Sequence, residues 1–251
     1  MSDVVRYAVD AGIATITFDS PANRNAISVA LVEQLSDCLV DVRDDDAARA
    51  VVLTHTGGTF CAGADLSEAG RSRPDVMIDL MRSILELPKP VIGRIDGHVR
   101  AGGFGVVGAC DLVAAGPKST FALTEARIGV APAMISLTVL PRLTSRAASR
   151  YFLTGEKFDA ATAQDIGLIT AAVTDSAALD DIVAGWCADL RKGSPQGLAA
   201  SKALTTASTL RDFDRDAERL VEQSATLFAS DEAREGMTAF LTKQPPPWVT
   251  S

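Results

Sequence analysis

Glu125 stands in the stretch STFALTEARIGVAP, twenty residues after Gly105 in RAGGFGVVGACD. A carboxylate enclosed by Phe121, Leu123, Ile128 and Val130 would have its pKa raised toward neutrality by desolvation, which suits proton transfer. The plainer reading is a solvated glutamate in the first turn of a helix, favoured there by the backbone dipole. Two further stretches, GGTFCAGADL and HVRAGGFGVV, set small residues between a strand pattern and a helix start. Such junctions free backbone N–H groups and aim them at negative charge. Two amides converging on one oxygen would form an oxyanion hole, with Gly and Ala leaving room for the ligand. Taken alone, the same junctions read equally as tight turns.

Residues 103–108, GFGVVG, also spell G-x-G-x-x-G. A strand pattern (VIGRID) upstream and Glu125 downstream fit a dinucleotide fingerprint. The next strand pattern begins near residue 111, however, which leaves about two helical turns and too little chain for a crossover. About a hundred residues precede the motif, whereas the fingerprint belongs to the first β–α turn of its domain. Glu125 follows a separate short strand and does not end the second strand of a βαβ unit. The match is a coincidence of spelling.

These groups must be positioned by a chain of 251 residues, 47% of them hydrophobic, which is enough to bury a sizeable core. A net charge of −8 argues against non-specific nucleic-acid binding. The first ten residues, MSDVVRYAVD, lack the apolar run of a signal peptide, and no stretch approaches the ~18 apolar residues of a membrane span. Cys38, Cys61, Cys110 and Cys187 are scattered, which favours reduced thiols in the cytoplasm over disulfides or a structural metal. Only His55 and His98 are available, and both read as structural.

Period-two patterns predict strands at VVRYAV and GIATITFD, followed by a turn at SPANRNA. Val29, Leu31, Val32, Leu35 and Leu39 are spaced for an amphipathic helix over 28–43. ARAVVLTHT and KPVIGRIDG read as buried strands, with a helix over 74–87 between them. Asp65 and Glu68 stand in capping-box spacing for a further helix start. Strands are expected at 111–115, 120–123 and 168–173. From residue 145 onward the pattern is mainly helical, ending in successive helices before QPPPW. The class is α/β with a helical C-terminal part. A division follows into a core, 1–192, and a C-terminal helical region, 193–251.

The stretches PANRNAIS, VVLTHTGGTFCAGADL, PKPVIGRIDGHVRAGGFGVVGACDLVAA, STFALTEARIGVAP, YFLTGEKFDA, AQDIGLI and EGMTAFLTK closely resemble the crotonase (enoyl-CoA hydratase/isomerase) superfamily, in family order from about residue 12 to 243. The resemblance implies a crotonase spiral of ββα units, with a C-terminal helical region that drives assembly into a homotrimer or dimer of trimers. It implies a coenzyme A thioester as substrate, with no separate cofactor and no metal. The thioester oxygen would be held by the amides of Ala62 and Gly102, stabilising an enolate. Arg24 and Ala26, with Ala64, Asp65 and Leu66, fall in segments that lie along the coenzyme. Phe240 and Lys243 match residues that reach a neighbouring subunit's coenzyme. Plain packing or solvent-facing roles compete for Arg24, Phe240 and Lys243, and a helix-start role for Asp65.

Hydratases of the common type carry two glutamates. Glu125 matches the second, and the first position is Gly105, so the false fingerprint arises where a catalytic glutamate is missing. The family often has a lysine two residues after Asp65, where Ser67 stands here. The segment around Gly105 and Glu125 resembles a bacterial subgroup that includes methylglutaconyl-CoA hydratase-like enzymes. The implied activity is hydration of a 2-enoyl-CoA, or its reverse, with one glutamate. Double-bond isomerisation between 3-enoyl- and 2-enoyl-CoA and silent acyl-CoA binding are the alternatives. Met77, Leu80, Met81, Met134 and Ile135 are candidates for an acyl pocket, though such a stripe also suits a core. No G-x-S-x-G elbow supports a serine hydrolase.

Overall fold

The computed structural model describes residues 3–68 and 74–250. An antiparallel hairpin comes first, β1 (Val5–Asp10) and β2 (Ile13–Phe18). Its two turn residues, Ala11 and Gly12, both have positive φ, as a two-residue hairpin with right-handed twist requires. Then follow α1 (Val29–Asp44), β3 (Ala50–His55), β4 (Thr59–Cys61), α2 (Pro74–Glu86), β5 (Val91–Ile95), β6 (His98–Arg100) and α3 (Gly102–Ala109). β7 (Leu112–Ala115) and β8 (Thr120–Ala122) lead into a single 3-10 turn, Glu125–Ile128. α4 (Ser136–Val139), α5 (Ser145–Thr154), β9 (Phe158–Asp159), α6 (Ala160–Asp165), β10 (Ala171–Ala172), α7 (Ser176–Leu190), α8 (Pro195–Phe228) and α9 (Asp231–Thr242) complete the order.

The strands divide between two sheets. The larger runs β1-β2-β3-β5-β7-β10, parallel from β2 onward, and the smaller runs β4-β6-β8-β9. Each repeat contributes one strand to each sheet, so β3, β5 and β7 are neighbours in one, and β4, β6 and β8 in the other. This is the ββα spiral of the crotonase fold. Its consequence for function is direct: the chain leaving β4, β6 and β8 emerges at the same edge of three adjacent parallel strands.

Alternation along the large sheet explains its two apolar faces. Ala14, Ile16, Phe18, Val51 and Leu53 join the main core with Phe60, Phe104, Phe121, Met81 and Phe213. Ile13, Ala50, Val52, Ile92 and Ala114 face the other way, against Leu179, Val183 and Cys187 of α7. Both faces are covered, as a parallel sheet requires.

Two local expectations are corrected. Asp65 and Glu68 do not form a capping box: only the short turn Leu66–Glu68 follows, and the Glu68 carboxylate accepts the Val29 N–H at 2.8 Å, capping α1 instead. The strand expected over 168–173 shrinks to Ala171–Ala172, because the Leu168 and Ile169 N–H groups both turn to the Ala163 carbonyl at the end of α6. The expected C-terminal helices are α8, of 34 residues, and α9. The longer one is held by a buried lysine: Lys202 donates to the carbonyls of Ile84 and Lys89, and pairs with Asp111 at 2.8 Å. That knot ties α8 to α2 and to the start of β7. Among the described residues all four cysteines are free, no acidic, His or Cys cluster could hold a metal ion, and no helix is long and apolar enough to cross a membrane.

Candidate active site

The loop after β4 turns at Gly63, whose φ is 89°, and Ala64 then forms a parallel bridge with Ile27. Ile27 donates to the Gly63 carbonyl at 2.8 Å, and Asp65 donates to the Ile27 carbonyl at 3.2 Å. Behind this bridge, the fully buried Asn25 holds the preceding loop: its Oδ1 accepts from Ser20, and its Nδ2 donates to the carbonyls of Thr56 and Thr59. The loop after β6 lies directly opposite. A Cβ added to Gly63 would stand 2.7 Å from the Ala101 Cβ and 3.6 Å from the Gly102 nitrogen, and one on Gly103 would stand 2.8 Å from the Cys61 Cβ. Small residues are required on both sides for the two backbones to meet. No carbonyl of the described residues accepts from the Ala64 or Gly102 N–H.

A cavity of about 400 Å³ opens between these loops. Of the expected pair, the wall includes Gly102 but not Ala62, and Ala64, two residues further on, takes part in it. The left-handed turn at Gly63 reverses the chain, so the residue after it reaches the cavity.

Glu125 opens the 3-10 turn that follows β8 and forms part of the same wall. It is 8% exposed, and its Oε2 is buried with no hydrogen-bond partner. Burial raises its pKa to about 7. Phe121 packs into an aromatic group with Phe104 and Phe158, and the cavity that Glu125 lines is also bounded by 131–135 and the loop at Ala101.

Gly105 lies one turn into α3, fully enclosed. A Cβ there would stand 2.7 Å from Met81 Sδ and 2.8 Å from both Met77 Cε and Ile135 Cγ2. The place where a second glutamate would begin is filled by apolar side chains. Of the acyl-pocket candidates, Met77, Met134 and Ile135 line the cavity, while Leu80 and Met81 are core residues behind it. Ser224 and Phe228 of α8, one turn apart, also line it and were not read from sequence.

The remaining sequence candidates are distributed more widely. Ala26 is buried one residue before the bridge, and Arg24, at φ 59°, is exposed on the loop beyond it. Asp65 lies on the cavity wall, where its Oδ1 accepts from the Ser67 hydroxyl and N–H. Leu66 belongs to the turn that follows, and its side chain lies outside the described residues. Phe240 is 58% exposed near the end of α9, and Lys243 caps that helix in the left-handed conformation. His55 Nε2 accepts the Asp96 N–H, and burial lowers its pKa; His98 Nδ1 pairs with the Thr120 hydroxyl. Neither histidine lines the cavity.

The sequence pattern described as enoyl-CoA hydratase/isomerase matches residues 8–251. A solved structure of an enoyl-CoA hydratase from Mycobacterium avium is 61% identical, with a TM-score of 0.93 over 99% of this chain and 100% of that one. A carnitinyl-CoA hydratase structure from Mycobacterium avium is 26% identical, with a TM-score of 0.88 over 99% of each chain. The 1,2-epoxyphenylacetyl-CoA isomerase of Escherichia coli (strain K12) is 30% identical over 264 residues, 98% of each.

Proposed function

The chain belongs to the enoyl-CoA hydratase/isomerase family, and on that premise we propose that it adds water to a 2-enoyl-CoA thioester, or removes it, with Glu125 as the acid/base. The observation that carries the reading is the placement of Glu125. A buried carboxylate with a free oxygen shares one cavity wall with the Ala64 and Gly102 amides. In hydration, the Glu125 carboxylate takes a proton from water as the oxygen bonds to C3. The C2–C3 π electrons shift toward the thioester, whose oxygen, held by the two amides, takes the negative charge. Glu125 then returns its proton to C2 and is again a carboxylate. A pKa near 7 suits a group that must both take and give that proton. The hydratase name of the 61% identical structure supports this direction.

Isomerisation is the second reading, favoured by the closure of the cavity at Gly105. One base suffices to take a proton from C2 of a 3-enoyl thioester and return it at C4. Both readings predict a coenzyme laid along Arg24, Ala26, Asp65 and Leu66. Exposed Phe240 and Lys243 suit contact with a neighbour's coenzyme in a trimer or dimer of trimers. Four unpaired cysteines suit the cytoplasm.

The test follows conjugated-thioester absorbance with 2-enoyl-CoA and 3-enoyl-CoA. Loss of signal from the first, abolished in Glu125→Ala, is the expected result. Gain of signal from the second without that loss makes the protein an isomerase. Acyl-CoA binding with neither change, and no effect of Glu125→Ala on that binding, leaves a silent binder.

A further inference from the structure

Among the described residues, two hydroxyls stand on the cavity wall, those of Ser28 and Ser224. The Ser28 hydroxyl is engaged, accepting the Leu31 N–H at the start of α1. Ser224 is 3% exposed, and its hydroxyl makes no hydrogen bond among the described residues. The helix hydroxyls of Ser149, Thr206 and Thr238 turn back to the carbonyl four residues earlier, and that of Ser224 does not. Nor is its oxygen sealed inside the protein, as the unpartnered oxygens of Thr54 and Asp96 are. It is open to the cavity.

The packing of α8 fixes where. α8 runs antiparallel to α2: Lys202 meets the carbonyls of Ile84 and Lys89, Asp214 pairs with Arg82 at 2.9 Å, and Phe213 lies beneath the Arg82 guanidinium. About 15 Å further along α8, Ser224 comes level with the first turns of α2, whose Val76 and Met77 share the wall with it. Met77 in turn reaches α3, where its Cε lies 2.8 Å from a Cβ added at Gly105, three residues after Gly102. The wall therefore runs from the Gly102 amide past Met77 to Ser224.

We propose that the site takes acyl groups carrying a neutral oxygen on the chain beyond C3, and that Ser224 sets this specificity by hydrogen bonding to it. This rests on the acyl-thioester reading of the cavity. A chain held at the amides and laid along Met77 brings its distal carbons against Ser224. Plain hydrocarbon there strips the hydroxyl of water and returns no bond, a loss of about fivefold or more in affinity. Val76, Met77 and Phe228, its neighbours on these two helices, have no side-chain group to replace that bond. A ketone or hydroxyl oxygen on the chain restores it, for a gain of about two- to tenfold.

The test is calorimetric binding of hexanoyl-CoA, 4-oxohexanoyl-CoA, 5-oxohexanoyl-CoA and 6-hydroxyhexanoyl-CoA. The four have equal chain length and lack the double bond that reaction needs. At least one oxygenated thioester is expected to bind the wild-type protein as tightly as hexanoyl-CoA or more so. In Ser224→Ala, which keeps a strong helix former in α8, its affinity relative to hexanoyl-CoA falls by about tenfold. In Ser224→Thr, which keeps the hydroxyl, the fall is smaller. Relative affinities unmoved in Ser224→Ala would mean that the hydroxyl serves only its own helix, and would overturn the proposal. Hexanoyl-CoA binding the wild-type protein more tightly than every oxygenated thioester would overturn it as well. Selective binding without turnover of any enoyl-CoA would remove the catalytic reading and leave this one standing. Failure to bind any of the thioesters, or coenzyme A itself, would overturn both.

Discussion

Gly236 of α9 lies against the carbonyl of Ile128, three residues after Glu125: a Cβ at 236 would stand 2.6 Å from both the carbon and the oxygen of that group. The contact is mutual, because a Cβ on Gly129 would stand 2.7 Å from the Glu232 carbonyl. The C-terminal helix and the turn that carries the buried carboxylate interlock backbone to backbone. A side chain on either face would force the helix and the turn apart.

Gly236→Ala is therefore expected to cost about 1–3 kcal/mol of stability through overpacking. It should also lower kcat more than it weakens acyl-CoA binding. Thermal melting beside steady-state kinetics checks this. An unchanged melting temperature with unchanged kcat would show that the contact does not position the turn.

The buried Glu125 should make both activity and stability depend on pH. Its pKa rises from 4.5 to about 7 on folding. The folded state thus holds the proton more tightly than the unfolded chain. The associated stability is complete below pH 4.5, declines as pH rises, and is lost above about pH 7, with a span of about 3 kcal/mol. Glu125→Gln should be more stable than the wild-type protein at pH 8 and nearly equal at pH 4.5, as urea unfolding at both pH values would reveal. Catalysis runs the other way, with kcat/KM increasing through about pH 7 as the carboxylate forms.

Gly105→Glu restores the two-glutamate pattern in sequence but should not restore it in space. Met77, Met81 and Ile135 occupy the volume that its first carbon needs. The expected outcome is a loss of about 1–3 kcal/mol with no gain in hydration rate. A faster hydratase with an unchanged urea midpoint would contradict the packing argument.

Lys202 offers a test of how α8 is anchored. Removing its charge as Lys202→Met leaves Asp111 and the Ile84 and Lys89 carbonyls with a missing partner, at a cost of about 3–5 kcal/mol. Adding Asp111→Asn should recover part of that loss. A single-variant cost below about 1 kcal/mol in urea unfolding would mean that the pair does not hold the helix.

The sequence was informative where local pattern and spatial role coincide. Glu125 and Gly102 follow short strands, and the spacing of those strands places both at one edge. Ala64 was harder to read, because which amide meets the cavity depends on one left-handed residue, Gly63, and alanines flank it on both sides. Phe228 and Ser224 carried no signal: they lie about a hundred residues from Glu125 on a long helix, and a partly exposed aromatic beside a serine looks like surface. The capping box failed because the Glu68 carboxylate has a better partner in the α1 terminus, across 39 residues of chain.

The Ala64–Gly102 cradle is made of main chain, and that decides how this protein can change. Exchanging side chains elsewhere leaves its N–H groups in place, whereas bulk added at Gly63 or Gly103 would force the two loops apart. Glu125 and the residues around Gly105, by contrast, are ordinary side chains within reach of a single codon change. Under the proposed reading, substitution of those side chains would alter the reaction while the main-chain hold on the thioester remained, so that reaction and binding could change independently on this fold.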